Sequence, residues 1–459
     1  MIQSIFENED SQACDKNKFW MNCDSIPSSP LYEGILIERT KKGLVSNLYI
    51  LSGSALFKAN PETFIVTKVT ILKWKIIQIL VDGSEKDKNY GFRIGHLGLY
   101  RDFYAQNQDD LNNWIAQLSS IGIMTEIEND YCILEEIGKG SFSTVQLAVE
   151  KVTSKKFAIK CTRKSDLGKR KYGFEYMRNE IDIMRKLDHP NILKLIKVYE
   201  DQNSVFLVFD YIEGGDLRRK ISLKKKFEEC EAKRLIQKLL RVIEYHESLN
   251  ITHRDIKLEN ILIVDREEDI DFKLADFGLA IEACGEIKGS CGSLGYAAPE
   301  VLRGKIYNSK IDVFSAGIIL YMLLSGRAPF PGKTTNEVFL KNRECNIKFK
   351  GKRWSEISSE AINFIRKITS YDPDLRPSAK TALQDEWFES GKDQNENEKY
   401  DKDFSDRLNR LQINQCFTEN AKENSGNILM KINQEYSPAK QLIILYIVNF
   451  TAVKERFKE

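Results

Sequence analysis

Residues 251–263 read "ITHRDIKLENILI", in which basic and acidic side chains stand between two short apolar runs. A solvated turn between two strands is one interpretation of this pattern. The other is a catalytic loop, because Asp255, Lys257 and Asn260 are residue types that accept protons, neutralise charge and hold metal ions. The sequence of other segments of the chain distinguishes between these two interpretations.

A pair of glycines upstream lies in "EIGKGSFSTVQLA" (136–148), between two apolar, strand-like segments. This pattern predicts a hairpin, in which Gly138 and Gly140 allow the backbone to approach a ligand closely. The segment differs from the strand-to-helix turn of a dinucleotide site, and it lacks the Gly-Lys-Ser/Thr ending of a P-loop. A plain hairpin turn is the alternative.

Three further charged residues occupy positions where an isolated charge would be costly. Lys160 lies inside the apolar strand "KFAIKC" (156–161), so it needs an anionic partner. Nucleotide phosphates are one such partner, and Glu180, on the apolar side of the next predicted helix, is the other. Asp276 follows a predicted strand in "FKLADFGLA" (272–280), where its carboxylate can bridge Mg²⁺ to phosphates.

Together these residue types fit phosphoryl transfer, which mainly needs positioning and cancellation of the charge on phosphate oxygens. Asp255 is predicted to accept the proton of an attacking hydroxyl, and Lys257 to neutralise the transferring phosphoryl group. Asn260 and Asp276 are predicted to hold metal ions. The stretch 251–263 is therefore interpreted as a catalytic loop.

The order of "GKGSFSTV", "FAIK", Glu180, "HRDIKLEN", "DFG" and "APE" resembles the signature set of protein kinases over residues 131–388. The resemblance implies a bilobal kinase fold that uses ATP and Mg²⁺. It implies catalytic roles for Asp255, Lys257, Lys160 and Glu180, metal binding by Asn260 and Asp276, and nucleotide binding by Ile137, Gly138, Lys139, Gly140, Ser141, Phe142, Ser143, Val145, Lys160, Asp210 and Ile212.

The same resemblance implies supporting contacts around the catalytic loop. Glu300 would pair with Arg376, Asp312 would hold the backbone of the loop, and Ser293 would bond near Asp255. All catalytic residues of the signature set are present, which favours an active enzyme. A catalytically silent scaffold with the kinase fold is the alternative.

Lys257 resembles the serine/threonine class, and "LDHPNI", "DYIEGGDL" and "SAKTALQDEWF" resemble the calcium/calmodulin-dependent kinase group. Asp216 and Glu259 occupy positions that meet substrate arginines in basophilic relatives, although ribose or local salt bridges could satisfy them instead. The resemblance thus implies phosphorylation of serine or threonine hydroxyls in proteins, near basic residues. Activation would involve Ser290 pairing with Arg254, or no phosphate there, because the usual phosphorylated position is Gly289.

Residues 31–121 show short alternating strands followed by "DDLNNWIAQLSSIG" (109–122), which predicts a helix with an Asp cap. This pattern predicts a small β-barrel closed by a helix with a buried Trp114. With Gly34, Leu36 and "LYIL", it resembles a pleckstrin homology domain. The fold class is therefore multidomain α+β. Protein kinase B shares this domain order and ranks second, since the tail lacks a clear Phe-x-x-Phe-Ser motif.

Pleckstrin homology domains often bind phosphoinositides through basic residues at positions that here hold Glu38, Val45 and Asn47. The basic residues of segment 39–42 remain to attract an anionic membrane surface weakly. A protein partner or an intramolecular contact is the alternative. The domain is therefore predicted to serve targeting or autoregulation.

The remaining segments and the composition set wider expectations. Residues 1–30 are predicted to be a flexible leader without a secretory signal. Residues 389–459 form a tail whose apolar run is compatible with a strand, a docking helix or an autoinhibitory, regulatory segment. The tail's end, "QLIILYIVNFTAVKERFKE", is basic only at its terminus, so calmodulin binding is the weaker expectation. A net charge of +2 gives no reason to expect nucleic-acid binding, and nine scattered cysteines fit reduced thiols. We expect a cytoplasmic protein, with peripheral membrane contact through residues 31–121.

Overall fold

The computed structural model describes residues 4, 19–23, 30–80, 90–96, 98–140, 143–264 and 271–388. Most of the predicted leader and the whole predicted tail, residues 389–459, lie outside these described residues. None of the described helices is long and apolar enough to cross a membrane. The seven cysteines within the described part of the chain are free thiols.

The N-terminal region is rich in β-structure, as the alternating sequence predicts. Its elements are β1 (Met21–Asn22), β2 (Tyr32–Thr40), β3 (Gly43–Ser52), β4 (Ala55–Ala59), β5 (Val66–Ile71), β6 (Ile76–Leu80), β7 (Gly91–His96), β8 (Leu99–Tyr104) and α1 (Gln108–Leu118). Strands β2–β5 and β6–β8 form two antiparallel meanders, which are joined by pairing of β2 with β8.

Helix α1 covers the buried face of these strands. Its N-cap is Asn107, whose Oδ1 accepts a hydrogen bond from Asp110 N at 2.9 Å, so the predicted Asp cap is wrong. An uncharged amide caps as well as a carboxylate, and the sequence alone does not separate them. Trp114 is fully buried, as predicted, and its ring meets Tyr32 edge-on at 4.8 Å. A Cβ atom at position 34 would lie 3.3 Å from the same indole, so the close packing of Trp114 favours a glycine at this position.

The predicted closed barrel is not found among the described residues. A fourteen-stranded sheet runs through both regions, in the order β1-β5-β4-β3-β2-β8-β7-β6 and onward. The edge of β6 that would close a barrel pairs instead with strand β9 (Ile123–Met124), in parallel register. Strand β9 also pairs with a strand of the second region through Met124 and Tyr199. Backbone hydrogen bonding at this edge therefore continues the sheet into the second region.

The segment between the regions is packed, although its sequence "TEIEND" (125–130) is mostly polar. Helix α2 (Ile127–Asp130) buries Ile127, and Asp130 accepts a hydrogen bond from the Tyr199 hydroxyl. The hydrophobic cluster of the N-terminal region includes Tyr131 and Phe157 beyond this join. One apolar core thus crosses the boundary between the regions.

The second region begins with strands, and most of its helices come later in the chain. Its strands are β10 (Tyr131–Lys139), β11 (Ser143–Glu150), β12 (Lys156–Arg163), β13 (Leu195–Glu200), β14 (Ser204–Asp210), β15 (Ile251–Thr252), β16 (Ile261–Ile263), β17 (Phe272–Leu274) and β18 (Ile281–Glu282). Its helices are α3 (Lys164–Gly168), α4 (Gly173–Lys186), α5 (Leu217–Lys224), α6 (Glu229–Ser248), α7 (Pro299–Leu302), α8 (Lys310–Ser325), α9 (Thr335–Glu344), α10 (Ser359–Ile368) and α11 (Ala379–Ala382).

Strands β10–β14 form an antiparallel sheet with α4 beside it, and helices α6 and α8 pack together below. Helix α8 is buried on nearly all sides, in keeping with its apolar sequence "IILYMLLS". Two short two-stranded sheets, β15–β18 and β16–β17, lie between these parts of the molecule. The stretch 251–263 runs from β15 to β16, so the fold places it where the sheet meets the helices.

Candidate active site

Lys160 is held by two carboxylates that are distant in sequence. Its Nζ lies 2.6 Å from Glu180 Oε1 on α4 and 2.9 Å from Asp276 Oδ1 after β17. Burial opposes the charge on Lys160, but both carboxylates favour it and raise the pKa of the amine above its usual value. Lys160 in turn lowers the pKa of Asp276 to about 2. The predicted pair of Lys160 with Glu180 is thus present, and Asp276 joins it.

The catalytic-loop residues converge on Asp255. Lys257 Nζ lies 2.6 Å from Asp255 Oδ2 and donates to Ser293 Oγ at 3.0 Å. The Ser293 hydroxyl donates to Asp255 Oδ1 at 2.7 Å, which is the contact predicted for it. Asn260 Nδ2 donates to the Asp255 backbone oxygen at 2.9 Å. These contacts fix the orientation of the Asp255 carboxylate, as a proton acceptor requires.

The backbone of this loop is held from below by Asp312 on α8. Its carboxylate accepts hydrogen bonds from His253 N at 2.7 Å and from Arg254 N at 2.9 Å, as predicted. Arg254 has a left-handed backbone, with φ of 68°. A non-glycine residue in that region is strained and needs surrounding contacts to persist. The two bonds to Asp312 are such contacts, next to the catalytic carboxylate.

Asp276 lies in the tight turn that the sequence predicts, directly after β17. Pairing of β16 with β17 aligns Ile261 with Leu274 and brings this turn beside the catalytic loop. The backbone of Asp276 is left-handed, with φ of 60°. Gly278 leaves room for the cluster, because a side chain there would come within 3.2 Å of Asp276 Oδ1.

The glycine-containing segment forms the predicted hairpin over this cluster. Strands β10 and β11 pair Gly138 with Val145, and Gly140 N donates to Ser143 O at 2.8 Å. Val145 in turn pairs with Lys160 on β12. The predicted nucleotide-binding residues on the described part of the hairpin are Ile137, Gly138, Lys139, Gly140, Ser143 and Val145. Ser141 and Phe142 lie outside the described residues.

Asp210, also predicted to bind nucleotide, is the last residue of β14, and Ile212, predicted likewise, follows two positions later. The Asp210 carboxylate lies 2.7 Å from Lys155 Nζ, and both side chains are largely exposed. This ion pair directs the carboxylate to the surface, so a nucleotide contact at Asp210 would come from its backbone. Ile212 is partly buried against the core of the second region.

The residues at the cluster fit magnesium. Asn260 uses its Nδ2 toward Asp255, so its amide oxygen is the atom suited to a cation. Asp276 offers a carboxylate that stays ionised well below neutral pH. Mg²⁺ is commonly held by one or two protein oxygens together with substrate phosphates and water. No group of three or more His, Cys, Asp or Glu side chains suited to a metal occurs among the described residues.

Glu259 and Asp216, considered from sequence as contacts for substrate arginines, already have local partners. Glu259 Oε1 accepts a hydrogen bond from Arg218 Nη1, in a pair at the surface. Asp216 caps helix α5 by accepting from Arg219 N at 2.8 Å. A local salt bridge was one alternative for each residue, and the structure shows it for Glu259, whereas Asp216 is bonded by a backbone N–H.

Two further predictions concern the segment between Asp276 and Glu300. Arg376 donates to Glu300 at 2.7 and 3.1 Å with both side chains buried, which confirms that pair. Arg254 donates to Leu279 O at 2.6 Å, whereas the Ser290 hydroxyl donates to Val301 O at 3.4 Å. Pairing of a phosphate on Ser290 with Arg254 therefore stays a prediction.

The geometry agrees with a comparison against known families. A family model described as a protein kinase domain matches residues 131–388, more than half of the chain. The chain belongs to the protein kinase family. Lys160, Asp255 and Asp276 all lie within the matched residues.

Several curated kinases are similar to this protein kinase. Myosin light chain kinase A of Dictyostelium discoideum is 38% identical over 278 residues, covering 59% of this chain and 92% of that protein. Calcium/calmodulin-dependent protein kinase type 1 of Macrobrachium nipponense is 36% identical over 278 residues, covering 60% and 80%. Calcium-dependent protein kinase 5 of Plasmodium falciparum is 37% identical over 262 residues, covering 57% and 45%. These similarities support the serine/threonine class and the calcium/calmodulin-dependent group.

Sequence reasoning missed a group of residues behind α4. Lys73 and Trp74, from the turn between β5 and β6, contact Asp182 and Arg185 on that helix. Trp74 lies between β5, which ends at Ile71, and β6, which begins at Ile76. The signal available was a tryptophan flanked by lysines in "LKWKI", which is unusual inside a half-buried strand.

Proposed function

We propose that this protein kinase transfers the γ-phosphate of ATP, with Mg²⁺, to serine or threonine hydroxyls of proteins. The observation that carries the proposal is the assembled set around Asp255, with Lys257, Ser293 and Asn260 in direct contact. Asp255 would accept the proton of the incoming hydroxyl, and Lys257 would offset charge on the transferring group. ATP would supply the phosphoryl group, and Mg²⁺, which Asn260 and Asp276 would hold, would offset the negative charge on the phosphate oxygens.

The alternative is a catalytically silent scaffold with the kinase fold. Silence would require a missing or displaced catalytic group. Instead, Lys160 contacts both Glu180 and Asp276, and the catalytic loop is held by Asp312. Both features favour the active enzyme.

We further propose that basic residues near the acceptor hydroxyl favour a substrate. Glu259 and Asp216 supply negative charge beside the catalytic loop, but Arg218 already neutralises Glu259. A substrate arginine would have to displace Arg218. The preference for arginine is therefore expected to be weak in this chain and stronger in Arg218→Ala.

For the N-terminal region we propose a pleckstrin homology-like fold that works through protein contacts in a cytoplasmic enzyme. Supporting features are the two meanders joined at β2 and β8, and a closing helix with buried Trp114. Glu38, at a position where lipid-binding members carry a basic residue, is buried and accepts from Lys58 Nζ at 2.6 Å and Tyr49 OH at 2.9 Å. An internal carboxylate that engages this lysine disfavours tight binding of an anionic lipid headgroup.

The test uses labelled ATP and peptides that differ only in the acceptor, which is serine, threonine or tyrosine. A second set varies the flanking residues between arginine and alanine. In the presence of Mg²⁺, the full chain is expected to transfer labelled phosphate to the serine and threonine peptides. The transfer is expected to stop when EDTA removes the Mg²⁺. Labelling confined to tyrosine would contradict the proposed class. Equal arginine preference in Arg218→Ala and wild type would contradict the proposed competition at Glu259.

A further inference from the structure

The turn formed by residues 72–75, between β5 and β6, inserts into the kinase region. Lys75 N donates to Leu72 O at 2.9 Å, which closes the turn. Trp74 is only 4% exposed, and it belongs to the hydrophobic cluster of the kinase region, with Met177 and Ile181 of α4. The Trp74 backbone is left-handed, with φ of 68°, a conformation that persists only when surrounding contacts impose it.

Polar contacts tie the same part of the N-terminal region to α4. Lys73 Nζ lies 2.9 Å from Asp182 Oδ2. Arg185 Nη2 donates to Gly122 O at 2.7 Å, while its guanidinium carbon lies 5.6 Å from the centre of the Trp74 ring. Burial lowers the pKa of Arg185 to about 10, and the nearby Asp182 carboxylate opposes this shift.

These contacts are made on the side of α4 that faces away from Lys160. Successive residues of an α-helix are rotated by about 100°, so Asp182 is about 200° around the helix from Glu180. Glu180 reaches Lys160 on one side, and Asn179 Nδ2 donates to Ala280 O at 2.8 Å. Helix α4 therefore lies between the active-site cluster and the turn 72–75.

We propose that the N-terminal region is a positioning element of the active site, and that Lys73, Trp74 and Asp182 are its positioning residues. The inference rests on the proposed kinase activity. The ion pair of Lys160 with Glu180 forms only when α4 is close to the sheet, and movement of this helix separates the two residues. The turn 72–75 holds α4 in the paired position. The N-terminal region thus supports catalysis from within the chain, rather than restraining it.

The test is a charge exchange in the full chain. The variants are Lys73→Asp, Asp182→Lys and the double variant with both changes. Each single variant places like charges together and is expected to lower kcat about 5- to 20-fold, with a smaller change in KM for the peptide. The double variant restores an opposite-charge pair and is expected to recover kcat to within about threefold of wild type. Lys68→Asp, an exposed site on β5 next to the far edge of the sheet, is the matched control and is expected to match wild type.

Hydrogen exchange of the α4 amides gives a readout that does not require activity. Exchange is expected to quicken in both single variants and to return to the wild-type rate in the double variant. Equal kcat and equal exchange in wild type and both single variants would overturn the proposal. So would losses in the single variants that simply multiply in the double variant, because independent structural damage shows no rescue.

The proposed function and the positioning role can fail separately. If the wild-type chain transfers no phosphate, the proposed function fails. Hydrogen exchange of the α4 amides then tests by itself whether the turn 72–75 holds α4 in place. Trp74→Ala is a second probe, expected to lower kcat more than either charge variant. If this variant fails to fold, the Lys73 and Asp182 variants still test the positioning role.

Discussion

The buried ion pair of Glu300 with Arg376 allows a quantitative prediction for Glu300→Gln. Arg376 is fully buried and Glu300 is 4% exposed, and the two make bonds of 2.7 and 3.1 Å. Arg376 also donates to Ser370 O at 2.9 Å and lies 5.0 Å over the Phe314 ring. The guanidinium would therefore stay buried after the carboxylate is lost.

Removing one partner of a buried pair costs about 3–5 kcal/mol, because the other charge is left uncompensated. The glutamine amide keeps one acceptor oxygen, so we expect the lower end, about 3 kcal/mol. For a domain of this size that corresponds to a drop of about 6–12 °C in Tm. Thermal unfolding of the full chain, followed by circular dichroism and by tryptophan fluorescence, measures the shift.

The double variant Glu300→Leu with Arg376→Met separates this reasoning from simple packing damage. Replacing both members of a buried pair by apolar residues is often nearly neutral. We therefore expect the double variant to be more stable than Glu300→Gln. A Tm for Glu300→Gln within 1 °C of wild type would refute the reasoning, and so would a double variant less stable than the single one.

Three other substitutions test the site and the core. Ser293→Ala removes a hydrogen-bond donor to the Asp255 carboxylate, so kcat should fall about tenfold with little change in KM for ATP. Ser293→Thr keeps the hydroxyl and should retain activity. An unchanged kcat in the alanine variant would refute the role of Ser293 in orienting Asp255. Gly278→Ala crowds Asp276, so titration should show weaker binding of Mg²⁺-ATP, and wild-type affinity would contradict this. Burial lowers the pKa of His246 to about 3, so as pH falls below about 6.5 only the unfolded state gains its proton. His246 should then lower the unfolding free energy by about 1.4 kcal/mol for each pH unit of acidification. In His246→Asn the unfolding free energy should fall less steeply with pH. Equal pH slopes for the two proteins, measured by urea unfolding, would refute this contribution of His246.

The active site was predictable because its residues are fixed by local patterns with strict spacing. The stretch 251–263 predicted the roles of Asp255, Lys257 and Asn260, and the structure brings them together. The contact of Ser293 with Asp255 and that of Asp312 with the loop backbone also agree with prediction. The direct contact of Asp276 with Lys160 was not predicted, because it depends on how two distant strands align.

The arrangement of the N-terminal region was less predictable. Alternation predicts strands and their buried faces, but it does not say which edge pairs with which. The edge of β6 takes up β9, a two-residue strand too short to give a sequence signal. The contact of Trp74 with α4 joins residues more than a hundred positions apart through a turn without periodicity. Such long-range contacts follow from the packed shapes of both regions, which local pattern does not encode.

The proposed role of Asp255 in phosphoryl transfer is tested by replacing its carboxylate with an amide. Full-length wild type and Asp255→Asn are assayed for transfer of labelled γ-phosphate to an arginine-containing serine peptide, with nucleotide affinity measured on the same samples. We expect transfer by wild type, a loss of at least a hundredfold in Asp255→Asn, and similar ATP affinity in both proteins. Equal transfer by the two proteins, or no transfer by wild type across a panel of serine and threonine peptides, would contradict it.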